Sequence, residues 1–133
     1  MKKREVLIAD GAPKAIGPYS LGIKVDGLVF VSGTLGIDPQ SGEFVAGGVE
    51  AETRQALENL ANILEAGGSS LKHVVKTAVF MQDLGDFAQM NAVYAEFFAS
   101  DPPARSTVQV AALPKGATVE IEVVAVVGDA GGD

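Results

Sequence analysis

Residues 102–127 read PPARSTVQVAALPKGATVEIEVVAVV, two apolar runs on either side of Pro114-Lys115-Gly116-Ala117. Short apolar runs bounded by proline and glycine read as strands. The first run opens with Arg105, one of three arginines in the chain; Arg4 and Arg54 lie in polar company. A permanent charge at the head of an apolar strand calls for a partner, because an unpaired buried charge is costly. Side chains alternate across a strand. Arg105, Thr107 and Gln109 therefore share one face, and Ser106, Val108 and Val110 the other. In the second run Val119, Ile121, Val123 and Ala125 form a face suited to a helical layer, while Glu120, Glu122, Val124 and Val126 form its opposite. If residues 114–117 close a hairpin, Glu122 falls roughly opposite Gln109. Arg105 then lies on the same face as Glu120 and brackets a small site with it, open to completion by a neighbouring copy of the chain.

Upstream, the pattern alternates between strand and helix. Residues 4–9 (REVLIA) read as a first strand. Residues 19–25 (YSLGIKV) and 28–33 (LVFVSG) flank Asp26-Gly27, a dipeptide that tolerates positive φ and fits a two-residue hairpin turn. Val49–Ala66 reads as a helix, with Thr53, Ala56, Leu57, Leu60, Ala61 and Leu64 at helical spacing, Glu50 and Glu52 in its first turn, and Gly67-Gly68 as the stop. Residues 73–82 (HVVKTAVFMQ) read as a strand. Asp86 and Gln89 resemble a capping box ahead of a second helix, with Phe87, Met90, Tyr94, Phe97 and Phe98 on one face. The order is β-β-β-α-β-α-β-β, an α+β domain over residues 1–127 with two helices on one face of a mixed sheet. Residues 128–133 (GDAGGD) read as a frayed tail. Two helices cover one sheet face only, so the half-apolar face of Val124 and Val126 is expected to pack against another copy of the chain.

The chain has 133 residues, 47% hydrophobic and 20% charged, which suits one folded domain. Its apolar runs are too short to span a bilayer, and its start does not read as a secretory signal, so a cytoplasmic protein is expected. With no cysteine, thiol nucleophiles, disulfides and thiolate metal sites are excluded; one histidine, His73, leaves no basis for a transition-metal site. His73 is expected at the surface. The formal net charge of −7 and the scatter of the bases disfavour nucleic acid as a partner. The glycines spell neither a dinucleotide nor a Walker pattern, so no cofactor is expected.

Arginine presents a planar donor fork that matches a carboxylate, and a strand entered through two prolines holds that fork rigidly. The bland alternative is a structural ion pair. Small neutral neighbours favour a ligand. Glu120 can orient or activate a water, or pair with Arg105. Tyr19, after Gly17-Pro18, can lend a hydroxyl to a pocket or simply pack as a rim aromatic. Ser32-Gly33 sets a hydroxyl beside a bare backbone, where Gly33 can admit a ligand to an N–H or merely end a strand.

Residues 102–126, with 12–33 (APKAIGPYSLGIKVDGLVFVSG) and 74–98 (VVKTAVFMQDLGDFAQMNAVYAEFF), strongly resemble the RidA family, also called YjgF or L-PSP proteins, over nearly the whole chain. The resemblance implies a chorismate-mutase-like fold in a homotrimer whose sheets form a central barrel, with sites in clefts between subunits. It implies hydrolytic deamination of reactive 2-imino and enamine acids, released by pyridoxal-phosphate dehydratases, to 2-oxo acids and ammonia. It assigns Arg105 to the substrate carboxylate and Glu120 to the attacking water. It places Tyr19, Ser32, Gly33, Asn91 and Thr107 in the pocket. Many members carry cysteine at the position of Thr107 and glutamine at that of Thr34; these departures exclude a reactive thiol and bear on subfamily. An electrophilic iminium carbon needs no strong nucleophile, in keeping with a site of this composition. The alternatives are a non-catalytic binder of small 2-oxo acids, an endoribonuclease and a holdase chaperone.

Overall fold

The computed structural model describes residues 3–128. Alternation in the sequence becomes eight main elements: β1 (Glu5–Leu7), β2 (Gly22–Val25), β3 (Leu28–Thr34), α1 (Gly48–Ala66), β4 (Val74–Met81), α2 (Phe87–Phe97), β5 (Ala104–Gln109) and β6 (Val119–Val126). The order expected from sequence is therefore met. Asp26 and Gly27 both take positive φ, 54° and 80°, and close the β2–β3 hairpin with Val25 paired to Leu28. Helix α1 buries Thr53, Ala56, Leu57, Leu60 and Leu64 as its spacing requires, and Ile63 in addition, while Ala61 of the expected stripe is only partly buried. It stops at Gly67-Gly68, where Gly68 takes a φ of 78°. None of the described helices is long and apolar enough to cross a membrane.

The sheet order is β1-β2-β3-β6-β4-β5. β6 lies between β3 and β4, antiparallel to both, while β5 pairs in parallel with β4 at the edge. The hairpin expected at residues 114–117 is thus absent. Those residues form a tight 3₁₀ turn instead, with Lys115 at φ 57°. The connection from β5 crosses the end of β4, with Val110 N donating to Met81 O at 2.9 Å and Gln82 N donating to Thr118 O at 3.0 Å. The physical reason lies in composition. β6 is apolar on its inner face along its length and takes a central place, whereas β5 carries Arg105, Ser106, Thr107 and Gln109 and suits an edge. Helix α2 then supplies the crossover that two parallel strands need.

In the parallel ladder Arg105 pairs with Thr77 and Thr107 with Val79. Thr77 and Val79 are fully buried beneath the helices. Arg105, Thr107 and Gln109 therefore face the helical layer. Glu120 pairs with Phe80 and Glu122 with Ala78, on the other face. Arg105 and Glu120 lie on opposite sides of one sheet, not on one face as the hairpin would have had it.

The inner face of β6 matches expectation, since Val119, Ile121, Val123 and Ala125 are all at most 3% exposed and join the core under α1 and α2. The capping box does not form. Asp86 makes no side-chain bond to the helix end; Asp83 instead accepts from Gly85 N at 2.8 Å in the turn before α2. Of the two acids expected in the first turn of α1, Glu50 lies there, whereas Glu52 falls beyond it and is buried. The tail expected from Gly128 onward is tied at its first residue, Gly128 N donating to Gly68 O at 3.0 Å; residues 129–133 lie outside the described residues.

Candidate functional site

The sequence-predicted residues fall into two groups, one on each side of the sheet. The first surrounds Arg105. Its Nη1 donates to Asn91 Oδ1 at 2.7 Å. Its guanidinium carbon stands 4.7 Å from the ring centre of Tyr94 and 5.5 Å from that of Phe87, within cation–π range. Asn91 and these aromatics come from one stripe of α2, Phe87-Asn91-Tyr94, at helical spacing. The Tyr94 hydroxyl lies 2.8 Å from Thr77 Oγ1 in a buried hydrogen bond, which fixes the ring. A cavity of about 450 Å³ opens here, lined by Asn91, Tyr94, Phe98, Pro102, Pro103 and Arg105. Two residues along the same face, Thr107 Oγ1 is buried with no hydrogen-bond partner. Among the described residues Arg105 forms no ion pair, so the structural salt bridge weighed from the sequence is not made among them. An arginine fork held by one neutral amide keeps donors for an anion.

The second group lies where β3 and β6 pair. A cavity of about 460 Å³ is lined there by Tyr19, Ser32, Gly33, Thr34 and Glu120, together with Lys14 and Glu122. Ser32 staples the preceding loop to the sheet, its Oγ donating to Ser20 O at 2.6 Å and its N to Leu21 O at 2.9 Å. That loop carries Tyr19, whose hydroxyl accepts from Ile16 N at 3.2 Å. Gly33 has a sharper reason than a strand end. A Cβ built on it would stand 2.6 Å from Glu120 Oε2, so only glycine lets the carboxylate lie across the backbone. Thr34 spends its hydroxyl on Ser32 O at 2.8 Å.

Burial, and then the like charge of Glu122, push the Glu120 carboxyl above its ordinary range. Such a carboxyl can hold or accept a proton at pH values where a solvated glutamate is simply ionised. Among the described residues no group of histidine and carboxylate side chains is arranged to hold a metal ion. His73 is partly buried at the end of a short 3₁₀ turn, its Nδ1 2.9 Å from Ser70 Oγ, remote from both groups in the sequence of elements.

The structure therefore brings Arg105, Asn91 and Thr107 together on one face, and Tyr19, Ser32, Gly33 and Glu120 together on the other. Reading the residues singly did not single out Phe87 and Tyr94 as the seat of the arginine, because an aromatic stripe reads first as core. It also passed over Asn59, a buried asparagine in α1 whose signal was there: an amide inside the apolar stripe.

Known proteins agree with this architecture. The endoribonuclease L-PSP family model matches residues 9–127. A human protein named 2-iminobutanoate/2-iminopropanoate deaminase is 49% identical over 125 residues, covering 94% of this chain and 91% of that one. The crystal structure of the E. coli YjgF gene product superposes with a TM-score of 0.88 at 43% identity, covering 92% of this chain and 98% of the other. That of E. coli TdcF with bound serine gives the same TM-score, identity and coverage. On its fold and its sequence alike, the chain belongs to the L-PSP family, the RidA and YjgF proteins.

Proposed function

We propose that this protein hydrolyses small reactive 2-imino acids to 2-oxo acids and ammonia, in sites built from two copies of the chain. The observation that carries the reading is Arg105 with no acid partner among the described residues, seated on aromatic rings with an amide beside it. Among the described residues no carboxylate neutralises its charge, and a small carboxylate fits its fork. Relatives of about half identity that bear the imine-deaminase name support the same substrate class.

Since Arg105 and Glu120 occupy opposite faces of one sheet, one chain cannot present both to one small molecule. A neighbouring copy can. The face away from the helices exposes Phe30, Val108 and Val126 at 42%, 46% and 37%. Packing such faces together in a ring would cover them and bring the Arg105 edge strand of one copy toward the Glu120 cavity of the next. A trimer with three such clefts is the assembly we propose.

In that cleft Arg105 grips the substrate carboxylate and fixes the imine carbon. Asn91 and Tyr94 hold the guanidinium in place. Water adds to the electrophilic C=N carbon while Glu120, with its raised pKa, takes the water's proton. Glu120 returns that proton to the amine nitrogen and then takes the carbinolamine's hydroxyl proton as the C–N bond breaks, so that ammonia leaves and the ketone remains. The substrate's electrophilicity supplies the drive, and the protein supplies orientation and charge. The imines would come from pyridoxal-phosphate dehydratases.

The test couples a threonine dehydratase to this protein and follows 2-oxobutyrate release, with Arg105→Ala and Glu120→Ala alongside. Acceleration by the wild type, lost in both variants, is expected. Binding of 2-oxo acids with no acceleration, retained in Glu120→Ala, would select a non-catalytic binder instead. Cleavage of RNA that weakens steeply with salt would select the ribonuclease reading, against which the net charge of −7 argues. Holdase activity indifferent to Arg105 would select a chaperone.

A further inference from the structure

Helix α1 interrupts its apolar stripe with one fully buried amide, Asn59. Its Nδ2 donates to Leu35 O at 3.1 Å and to Ile37 O at 2.9 Å, and its Oδ1 accepts from Gln55 Nε2 at 2.9 Å. Carbonyl oxygens only accept, so the amide nitrogen must face them and the group has one orientation. Leu35 and Ile37 follow directly on β3, past the point where its ladder with β6 loses register. Between them, Gly36 O turns to Val45 N at 3.1 Å. The two outer carbonyls have left the sheet yet stay buried, and buried carbonyls need donors. Asn59 gives what a neighbouring strand would have given.

What the amide holds is the wall of the Glu120 cavity. Leu35 and Ile37 line that cavity with Gly33, over which the Glu120 carboxylate lies. Helix and segment are in close contact: a Cβ on Gly36 would stand 2.5 Å from Glu52 Cα. From the same helix Glu52 Oε1 accepts from Thr118 N at 2.9 Å, two residues before Glu120. Thus α1 grips the chain just after Gly33 and just before Glu120.

We infer that Asn59 is a positioning residue for Glu120, holding residues 35–37 so that Gly33 stays pressed under the carboxylate and the carboxylate stays only partly solvated. Released from Asn59, the segment can move off the helix, the cavity opens, and Glu120 hydrates. Hydration favours the charged carboxylate and lowers its pKa toward the ordinary value. The other titratable groups lining the cavity are Glu122 on β6 and Lys14 and Tyr19 from the segment before β2. β3 contributes Ser32, Gly33 and Thr34, and β4 sets Phe80 beside Glu120, none of which titrates. Glu52 of α1 is occupied at Thr118 N. The kinetic consequence rests on the deaminase reading; the positioning itself does not.

The experiment is a carbon-13 NMR titration of the Glu120 carboxyl in the intact protein, assigned with Glu120→Gln, for the wild type, Asn59→Leu and Gln55→Ala. Melting curves and imine-hydrolysis pH profiles accompany it. The expected result is a Glu120 midpoint in Asn59→Leu displaced down toward an ordinary glutamate. The hydrolysis profile moves the same way, and kcat/KM falls by about tenfold or more, as for a displaced catalytic group. Gln55→Ala, which frees the amide without removing it, gives a smaller displacement of the same sign. A lowered melting temperature with an unmoved midpoint overturns the inference, because a merely structural amide would do that. If Asn59→Leu does not fold, Gln55→Ala decides, and an unmoved midpoint there overturns it equally. A displaced midpoint in a protein that hydrolyses no imine supports the positioning of Glu120 and rejects the deaminase reading alone.

Discussion

At the scale of single residues, the proposed chemistry turns on two charged side chains, and the surroundings of each have a visible cause. Arg105 rests on Tyr94 and Phe87 and is held by Asn91, an arrangement that suits a planar guanidinium better than an ammonium. Arg105→Lys is therefore expected to fold normally and to lose about ten- to a hundredfold in kcat/KM on 2-imino acids, the worth of a lost charge-assisted bidentate contact. Retained rates with an unchanged KM would count against carboxylate binding. Glu120 carries a raised pKa, so between its unfolded and folded values the folded chain binds a proton that the unfolded chain does not. Stability from this group is then present below the unfolded value and falls as pH rises through the folded one. Glu120→Gln should accordingly gain stability over the wild type at pH 8 and lose that advantage near pH 4, in parallel denaturant titrations.

The elements matter through the contacts they permit. β3 and β6 approach closely at Gly33 because no side chain stands between the backbone and the Glu120 carboxylate. Gly33→Ala is predicted to push the flexible Glu120 carboxylate aside at a cost of about 1 kcal/mol or less. Combining it with Glu120→Ala should recover much of that loss, since the colliding group is gone; a fully additive double mutant would refute the contact as the cause. Much of this level is open to reading in advance. The Asp26-Gly27 turn, the Gly67-Gly68 stop and the apolar stripe of α1 are local, and local signals suffice for them. The Asp86 cap is not, because the chain inserts a turn capped by Asp83 and leaves the Asp86 side chain without a helix-end bond.

For the whole molecule, the exposed apolar face and the separation of Arg105 from Glu120 point the same way. We expect the protein to sediment as a trimer. Phe30→Glu, which puts a charge on the face away from the helices, should shift it toward monomer by analytical ultracentrifugation and abolish imine hydrolysis while leaving the helical circular dichroism intact. A monomeric wild type that still hydrolyses imines would exclude a site shared between copies.

By itself the sequence determined the order of strands and helices, the inner face of β6 and the residues worth suspecting, because periodicity, turn chemistry and the family's motif are all written along the chain. It did not determine which strands are neighbours. Residues 104–109 and 119–126 are consecutive strands, and consecutive strands commonly pair. Only the tertiary structure placed β6 between β3 and β4 and sent β5 to the edge. That choice rests on a competition among long-range ladders, in which the most apolar strand takes the centre, and no local pattern reports its outcome. It is also the choice that puts Arg105 under α2, Glu120 over Gly33, and Asn59 against the carbonyls of Leu35 and Ile37.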